Sequence, residues 1–134
     1  MRVLIFLAML ASSAANAATW VAIHKFDEQG FRLSIDTDSI TQEGVLRKAW
    51  VRWEYIKPQL LPRSSTEEPE LYFVETLELS YYHCQQRKSA LSRIIHRGSD
   101  GKAVSNLART TEELKYSEEA PDSLGEMMLE AVCG

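Results

Sequence analysis

The chain has 134 residues, with 15 basic and 19 acidic side chains, a formal net charge of −4 and 45% hydrophobic residues. This length is enough for one domain with its own core. The acidic balance argues against nucleic acid and against anionic lipid as partners.

The N-terminal segment is predicted to be a secretory signal peptide. Arg2 precedes an apolar run over residues 3–10, and small residues then lead to Ala15-Asn16-Ala17. A positive start, a short apolar middle and an A-x-A end predict cleavage after residue 17. The alternative, a retained membrane anchor, is disfavoured because a span needs about 20 apolar residues. We therefore expect residues 1–17 to be removed and residues 18–134 to form a single domain, with no membrane insertion.

Six strand candidates follow in chain order. Phe31, Leu33 and Ile35 alternate with polar residues, which is typical of a half-buried strand. Residues 36–40 carry side chains that cap backbone groups and predict a tight turn or one helical turn. Residues 98–101, Gly-Ser-Asp-Gly, predict a hairpin turn. The predicted strands are residues 20–24, 31–36, 45–56, 71–85, 88–97 and 102–109.

The third of these strands, residues 45–56, carries apolar residues on both of its faces. One face is predicted to carry Val45, Ala49, Val51, Trp53 and Tyr55, with Arg47 as the exception. The other face keeps some apolar character, so we expect something to cover part of it.

Residues 57–70 break the strand pattern. Pro58, Pro62 and Pro69 lie in this span and predict an exposed loop rather than a central strand. An acidic cluster at residues 67–70 is interpreted as solvated loop charge rather than a cation site.

A short helix is predicted at the C-terminus. Ser123 is followed three residues later by Glu126, the pattern of a capping box, and apolar residues then recur at helical spacing up to Cys133. Cys84 and Cys133 are the only cysteines, and an exported chain with two cysteines is expected to join them in a disulfide. A free thiol pair is the less favoured alternative, since no C-x-x-C spacing occurs.

These elements predict an α+β fold: a curled antiparallel sheet of about six strands, with one C-terminal helix packed on it and one disulfide. A helix of about 11 residues spans roughly 16 Å, whereas six strands are roughly 24–29 Å wide. Because one helix cannot cover that width, the sheet must curl or its far face must be covered by loops or a second subunit. The pattern is compatible with a homodimer.

No catalytic or metal site is predicted. His24, His83 and His96 lie on three different strand candidates and show no ligand-pair spacing. The chain has no G-x-S-x-G sequence and no glycine-rich loop opening a helix. We expect no cofactor, and an enzyme such as a small hydrolase is the least favoured class.

Two features are candidate binding surfaces. Six aromatic residues at strand spacing could line a groove, although sheet packing is the commoner role of such residues. The basic pair Arg87 and Lys88 could hold an acidic partner, with a solvated turn as the alternative. The aromatic set is Trp20, Trp50, Trp53, Tyr72, Tyr81 and Tyr82.

The chain resembles the surface-adhesin protein E family of Gram-negative bacteria over nearly all of its mature length. The residues that carry this resemblance are Trp20, Asp36 with Ser39-Ile40, Gly44, Trp50, Tyr82-x-Cys84, Asp100-Gly101, Pro121-x-Ser123 and Cys133. The resemblance implies a small antiparallel sheet with a C-terminal helix, the Cys84–Cys133 bond, export to the periplasm or outer surface, and dimerisation. It also implies adhesion to host matrix and serum proteins. The chain departs from the family pattern at Tyr116, where tryptophan is common, and in the loop over residues 58–70.

The favoured hypothesis is an exported, non-enzymatic binding module that recognises a protein partner outside the cell through loops or an exposed strand edge. Residues 57–70 and the pair Arg87 and Lys88 are the candidate contacts. The alternative is a structural or stress-related periplasmic protein with no host partner.

Overall fold

The computed structural model describes residues 17–25 and 28–134. The predicted signal peptide lies outside them except for its last residue, and so does Asp27 of the first predicted turn. Two short 3₁₀ turns, Thr37–Ser39 and Thr111–Glu113, accompany the strands and the helix. The strands are β1 (Trp20–His24), β2 (Phe31–Asp36), β3 (Thr41–Glu43), β4 (Leu46–Leu60), β5 (Tyr72–His83), β6 (Lys88–Arg97), β7 (Ala103–Ala108) and β8 (Ser117–Glu118), and the helix is α1 (Leu124–Cys133).

The described strands form one antiparallel sheet in the order β1-β2-β4-β5-β6-β7. The short β3 pairs with β4, and the short β8 pairs with β6. Neighbours in the sheet are therefore mostly neighbours in the chain, as hairpin connections require. The predicted sheet of six strands with one C-terminal helix is confirmed.

The core lies between α1 and one face of the sheet, where the helix packs against β1, β4 and β5. We call this side of the sheet the helix face and the opposite side the open face. Burying one leucine or valine side chain stabilises a fold by about 1.5–3 kcal/mol, so a small cluster is enough to hold a ten-residue helix. The buried cluster is Leu33, Ile35, Ala49, Val51, Tyr82, Leu129 and Val132.

The cysteines link the end of β5 to the end of α1. Cys84 and Cys133 form a disulfide with a Cα–Cα distance of 5.7 Å, as predicted. At the other end of the helix, the Ser123 hydroxyl accepts from the Glu126 main-chain N–H at 3.1 Å. The Glu126 carboxylate accepts from the N–H of Asp122, one residue earlier than a capping box requires. Both ends of the helix are thus tied to the rest of the chain.

Arg47 lies on the helix face for a structural reason. The last turn of α1 contains no basic residue of its own. The Arg47 Nη1 donates to the carbonyl oxygens of Val132 at 2.8 Å and Cys133 at 3.3 Å. A cation at a helix C-terminus satisfies carbonyl groups that have no helical partner and complements the helix dipole. Arg47, the exception in the predicted apolar face, therefore caps the C-terminus of α1.

The predicted boundaries of β4 were wrong at both ends. Val45 lies in the turn that follows Gly44 and is 66% exposed, so it does not belong to the buried face. At the other end the strand continues through Pro58 to Leu60. The pairing register of β4 with β5 shifts between Glu54 and Gln59, so Pro58 lies where the regular ladder is interrupted. A proline without an N–H is tolerated at such an irregularity.

Candidate binding surface

The β4–β5 hairpin extends beyond its neighbours and forms an arm, residues 56–73. The pairing of β2 with β4 ends at Tyr55, whereas β4 and β5 remain paired up to Leu60 and Tyr72. Beyond that pair, the Leu61 N–H donates to the Leu71 carbonyl at 2.8 Å. The predicted loop, residues 57–70, therefore comprises the last residues of β4 and the tip of a projecting hairpin.

The end of the arm is ordered by its own polar contacts. Arg63 donates to the Glu68 carbonyl at 2.9 Å and forms an ion pair with Glu70 at 3.5 Å. Ser64 donates to the Glu68 carboxylate from both its main chain and its hydroxyl, and these hydrogen bonds lower the pKa of Glu68. Glu68 and Glu70 of the acidic cluster thus help to order the loop.

The strands of the arm expose large apolar side chains to solvent. Isolated two-stranded hairpins are marginally stable, and large exposed apolar patches mark interaction sites. The arm therefore has the character of a contact surface. Its exposed apolar side chains are Ile56 (58%), Leu60 (47%), Leu71 (38%) and Tyr72 (49%).

The β6–β7 hairpin carries most of the positive charge that is not balanced locally. Residues 87–109 contain six basic side chains and one acidic side chain, Asp100, which leaves nine basic against eighteen acidic residues in the rest of the chain. We call residues 87–109 the basic hairpin. Its cations are Arg87, Lys88, Arg93, Arg97, Lys102 and Arg109.

These cations differ in how far they are already paired. Arg87 donates to Glu126 at 2.9 Å and lies 3.7 Å from Glu130, so it is held against α1. Arg97 pairs with Glu75 at 3.1 Å. Among the described residues, Lys88, Arg93, Lys102 and Arg109 make no ion pair with an acid. The predicted pair Arg87 and Lys88 therefore lies at one end of the basic hairpin. Of the two, Lys88 is the one that is not held in an ion pair and can contact a partner.

The outer edge of β7 is exposed and uncharged. Its sequence, AVSNLA, contains neither a charged residue nor proline, the features that usually protect an edge strand from pairing. The Arg109 N–H donates to the Ser92 carbonyl at 2.8 Å, so the alternation of an antiparallel ladder turns the main chain of Asn106 and Ala108 outward. This edge can accept an additional strand.

The arm and the basic hairpin form one continuous surface. The turn at Gly98 lies against the Tyr72 carbonyl and the Val104 side chain, where a Cβ would approach each at 3.7 Å. Glu75 at the base of the arm is directly opposite Arg97. Apolar and basic groups therefore lie side by side at this end of the sheet. Counting the charged residues of each predicted hairpin would have identified the basic hairpin from the sequence. Its contact with the arm follows only from the pairing register of the strands.

The histidines do not form a site. His96 bonds through Nδ1 to the Thr76 hydroxyl at 2.9 Å, and burial lowers the pKa of its imidazole. His83 accepts from the Gln86 N–H at the β5–β6 turn. Over residues 17–25 and 28–134, His, Cys, Asp and Glu side chains form no group arranged to hold a metal ion.

The six aromatic residues, for which sheet packing was the favoured role, are divided between the two faces of the sheet. Trp20 lies beside Arg52, whose guanidinium stacks 4.4 Å from the centre of the indole ring. Tyr82 is buried under α1, whereas Lys48 lies over the Tyr81 ring at 5.8 Å. The six aromatic residues therefore do not line one groove.

A family model described as surface-adhesin protein E matches residues 20–134. The match includes the sheet, the arm, the basic hairpin and α1. No curated protein matches the chain. In the part of the chain that the structure describes, no helix has both the length and the hydropathy that a membrane span requires.

Proposed function

The chain belongs to the surface-adhesin protein E family, and we propose that it is an exported, non-enzymatic binding module that holds a protein partner on its arm and basic hairpin. The disulfide supports export, because such bonds form and persist in oxidising compartments. The family supports a partner of the host matrix or serum, and a location in the periplasm or on the outer surface.

The observation that carries the proposal is the separation of charge. Six cations are concentrated in residues 87–109 of a chain whose net charge is −4. A surface that is only solvated does not require its cations to be separated from its acidic groups. A surface that attracts an acidic partner requires cations concentrated in one place. The exposed apolar side chains of the arm lie next to the cations and supply the desolvated contact that charge alone does not.

Capture by the immobilised mature chain tests the proposal. Host matrix extract, serum and solubilised bacterial envelopes are passed over it, and we expect saturable capture that weakens as salt rises. Lys88→Glu combined with Arg93→Glu and Arg109→Glu should reduce capture at least about tenfold, since each removes a rim or central charge contact. Lys25→Glu combined with Lys115→Glu is a control outside both the arm and the basic hairpin, at two exposed lysines, and should leave capture within about twofold.

The arm is tested separately. Ile56→Ser with Leu60→Ser removes exposed apolar surface and should weaken capture, whereas Val45→Ser at the opposite end of β4 should not. Capture that survives both the charge reversals and the arm substitutions would contradict the proposed surface.

Protease treatment of whole cells distinguishes an adhesin from a structural periplasmic protein. A surface adhesin must be cut from outside, whereas a periplasmic protein is protected until the outer membrane is opened. Protection together with absence of host capture would assign the chain to the periplasmic alternative.

A homodimer is part of the proposal. Trp50, Leu79 and Tyr81 lie half-buried on the open face, and no helix lies over them among the described residues. A second copy placed there would cover apolar surface. Light scattering of the mature chain should give twice the monomer mass, and Trp50→Lys should return it to the monomer.

A further inference from the structure

β7 is the last strand of the sheet, and among the described residues no strand pairs with its outer side. Its register with β6 is regular over residues 105–108, beyond the irregularity that leaves Val104 unpaired near the turn. The main-chain groups of Asn106 and Ala108 point outward along this stretch, and such groups are a template for another strand. We call residues 105–109 the β7 edge.

The register also places one large apolar side chain at this edge. Val51, Glu78, Ile94 and Leu107 lie directly opposite one another across β4, β5, β6 and β7. Because Val51 is in the core cluster with the buried residues of α1, this row lies on the helix face. Leu107 is its outermost member and is 64% exposed. The β7 edge therefore presents an apolar contact on the helix face.

A recess of about 60 Å³ lies beside Leu107. It is found where β6 carries one extra residue, since the pairing of β5 with β6 passes over Ser92. An apolar side chain of a neighbouring strand can enter this recess, with a cation within reach of the positions beside it. The recess is lined by the apolar side chains Leu91, Ile94 and Leu107 and by Ser92, Arg93 and Arg109.

The two arginines of the recess are available to a partner. Both are exposed, and among the described residues neither forms an ion pair, although Glu112 and Glu113 follow Arg109 closely in the chain. Arg93 donates only to the Asn106 side chain, at 3.1 Å. A second copy of the chain paired at this edge would bring the same cations to both sides of the junction. An acidic segment would neutralise them instead.

We propose that the β7 edge binds an extended acidic segment of the partner protein as an added strand. The inference rests on the proposed function and specifies the chemistry of the partner. The main chain of the segment pairs with Asn106 and Ala108, and an apolar side chain opposite Leu107 enters the recess. Carboxylates on either side of it meet Arg93 and Arg109. In this mode the main chain supplies affinity and alternate side chains supply specificity.

A synthetic peptide tests the proposal on the mature chain. The probe is fluorescein-labelled Gly-Glu-Glu-Val-Glu-Val-Gly, and the control peptide has lysine in place of every glutamate. Fluorescence anisotropy should show saturable binding of the acidic peptide that weakens as salt rises, and no binding of the control. This measurement tests the charge of the ligand but not its strand pairing.

Amide hydrogen exchange, measured by nuclear magnetic resonance, tests the pairing itself. The outward N–H groups of Asn106 and Ala108 should exchange at least about tenfold more slowly when the peptide is bound. Ala22 is the internal reference on β1, the opposite edge of the sheet. Because the Thr37 N–H donates to the Thr19 carbonyl, the strand alternation turns the Ala22 main chain outward as well. Its exchange should not change with the peptide.

The same substitution at the two edges gives a matched pair of variants. Ala108→Pro removes an outward donor but none of the bonds between β7 and β6, and edge strands tolerate proline on their solvent side. It should weaken peptide binding at least about tenfold, whereas Ala22→Pro should leave it within about twofold. The melting temperatures of both variants are measured alongside.

A second variant covers the case in which Ala108→Pro does not fold. Arg93→Gln with Arg109→Gln keeps the strand and should weaken binding of the acidic peptide at least about tenfold. Equal binding by this variant and the parent would overturn the proposal, as would binding that leaves the exchange of Asn106 and Ala108 unchanged. Slow exchange of these two amides in a dimer without peptide would assign the β7 edge to a second copy, which also overturns it.

The capture assay separates this inference from the proposed function. Loss of capture both in Ala108→Pro and in the charge-reversed variant supports strand addition. Capture that survives Ala108→Pro but not the charge reversals overturns strand addition and leaves the proposed function standing. Absence of capture by the parent chain, with the peptide still bound at the β7 edge, contradicts the proposed function and supports the peptide site.

Discussion

Arg47 completes the last turn of a helix that lies more than 80 residues away in the chain. Its two hydrogen bonds to Val132 and Cys133 are charge-assisted and partly buried. From the alternation of residues in β4, Arg47 could be recognised only as a charged residue in an otherwise apolar face. The carbonyl groups that it satisfies belong to the other end of the sequence.

Arg47→Met should lower the free energy of unfolding by about 1.5–3 kcal/mol, since it leaves the helix C-terminus without its cation. Urea denaturation of the purified chain measures the loss. Arg93→Met serves as the control, because its exposed bond to Asn106 is expected to contribute at most about 0.5 kcal/mol. Equal losses in the two variants would show that the cap does not stabilise the helix.

Gly125 leaves space on α1 for a neighbouring carboxylate. A Cβ at this position of α1 would overlap the carboxylate of Glu119, which is hydrogen-bonded to the Ser89 hydroxyl. Glycine in a helix normally costs about 0.5–1 kcal/mol relative to alanine. Glu119 therefore occupies the space that this glycine leaves free.

Gly125→Ala should give no gain in stability in the parent chain but a gain of about 0.5–1 kcal/mol in a Glu119→Ala background, where the space is free. A double-mutant cycle by urea denaturation measures this coupling. If the alanine stabilises both backgrounds equally, the contact between Glu119 and Gly125 has no energetic consequence.

At the scale of elements, α1 depends on attachments at both of its ends. Its ten residues are too few for an independent helix in water. The buried side chains Leu129 and Val132, the Ser123 cap and the disulfide together hold it on the sheet. The helix is therefore a product of its packing.

Cys84→Ser with Cys133→Ser should lower the free energy of unfolding by about 4 kcal/mol, because the bond closes a loop with a sequence separation of 49. Thermal and urea unfolding with and without reductant measure the effect. Reductant should lower the melting temperature of the parent and leave that of the double variant unchanged. A parent chain that melts at the same temperature after complete reduction would contradict this account.

At the scale of the whole molecule, two partly buried groups respond to pH with opposite signs. Burial lowers the pKa of His96, so the unfolded chain binds more protons near the ordinary value of 6.5 and stability falls as pH drops through that range. Burial raises the pKa of Glu78, so its contribution is present below the ordinary value of 4.5 and is lost as pH rises through the raised value.

His96→Asn should therefore reduce the loss of stability between pH 7.5 and pH 5.5, while Glu78→Gln should raise stability at pH 7 and give a gain that shrinks towards pH 4.5. Urea denaturation at several pH values measures both effects. Relative to the parent chain, His96→Asn should gain stability towards low pH and Glu78→Gln towards neutral pH, so each variant is a control for the other. If both variants gained stability in the same direction of pH, the opposite pKa shifts given to His96 and Glu78 would be contradicted.

The local pattern of the chain was sufficient for much of the fold. The alternation in residues 31–36, the Asp-Gly turn at residues 100–101 and the Ser123 start of α1 each concern residues close in sequence, and the structure has the corresponding strand, hairpin and helix. The cysteine pair needed only composition and the prediction of export. The candidate contacts were predicted only in part, since the span of residues 57–70, predicted to be a loop, begins with the last four residues of β4.

By itself, the sequence determined the order and type of the six long strands and the helix, the disulfide and the overall balance of charge, because periodicity, turn chemistry and residue counts act locally or by composition. Only the tertiary structure decided that Arg47 caps a distant helix, that the turn at Gly98 lies against Tyr72 of the arm, and that Glu78 lies between Val51 and Ile94 on the helix face. Each of these depends on strand register and on which face the helix covers. A shift of one residue in register would turn every side chain to the opposite face, and local pattern alone does not fix that choice.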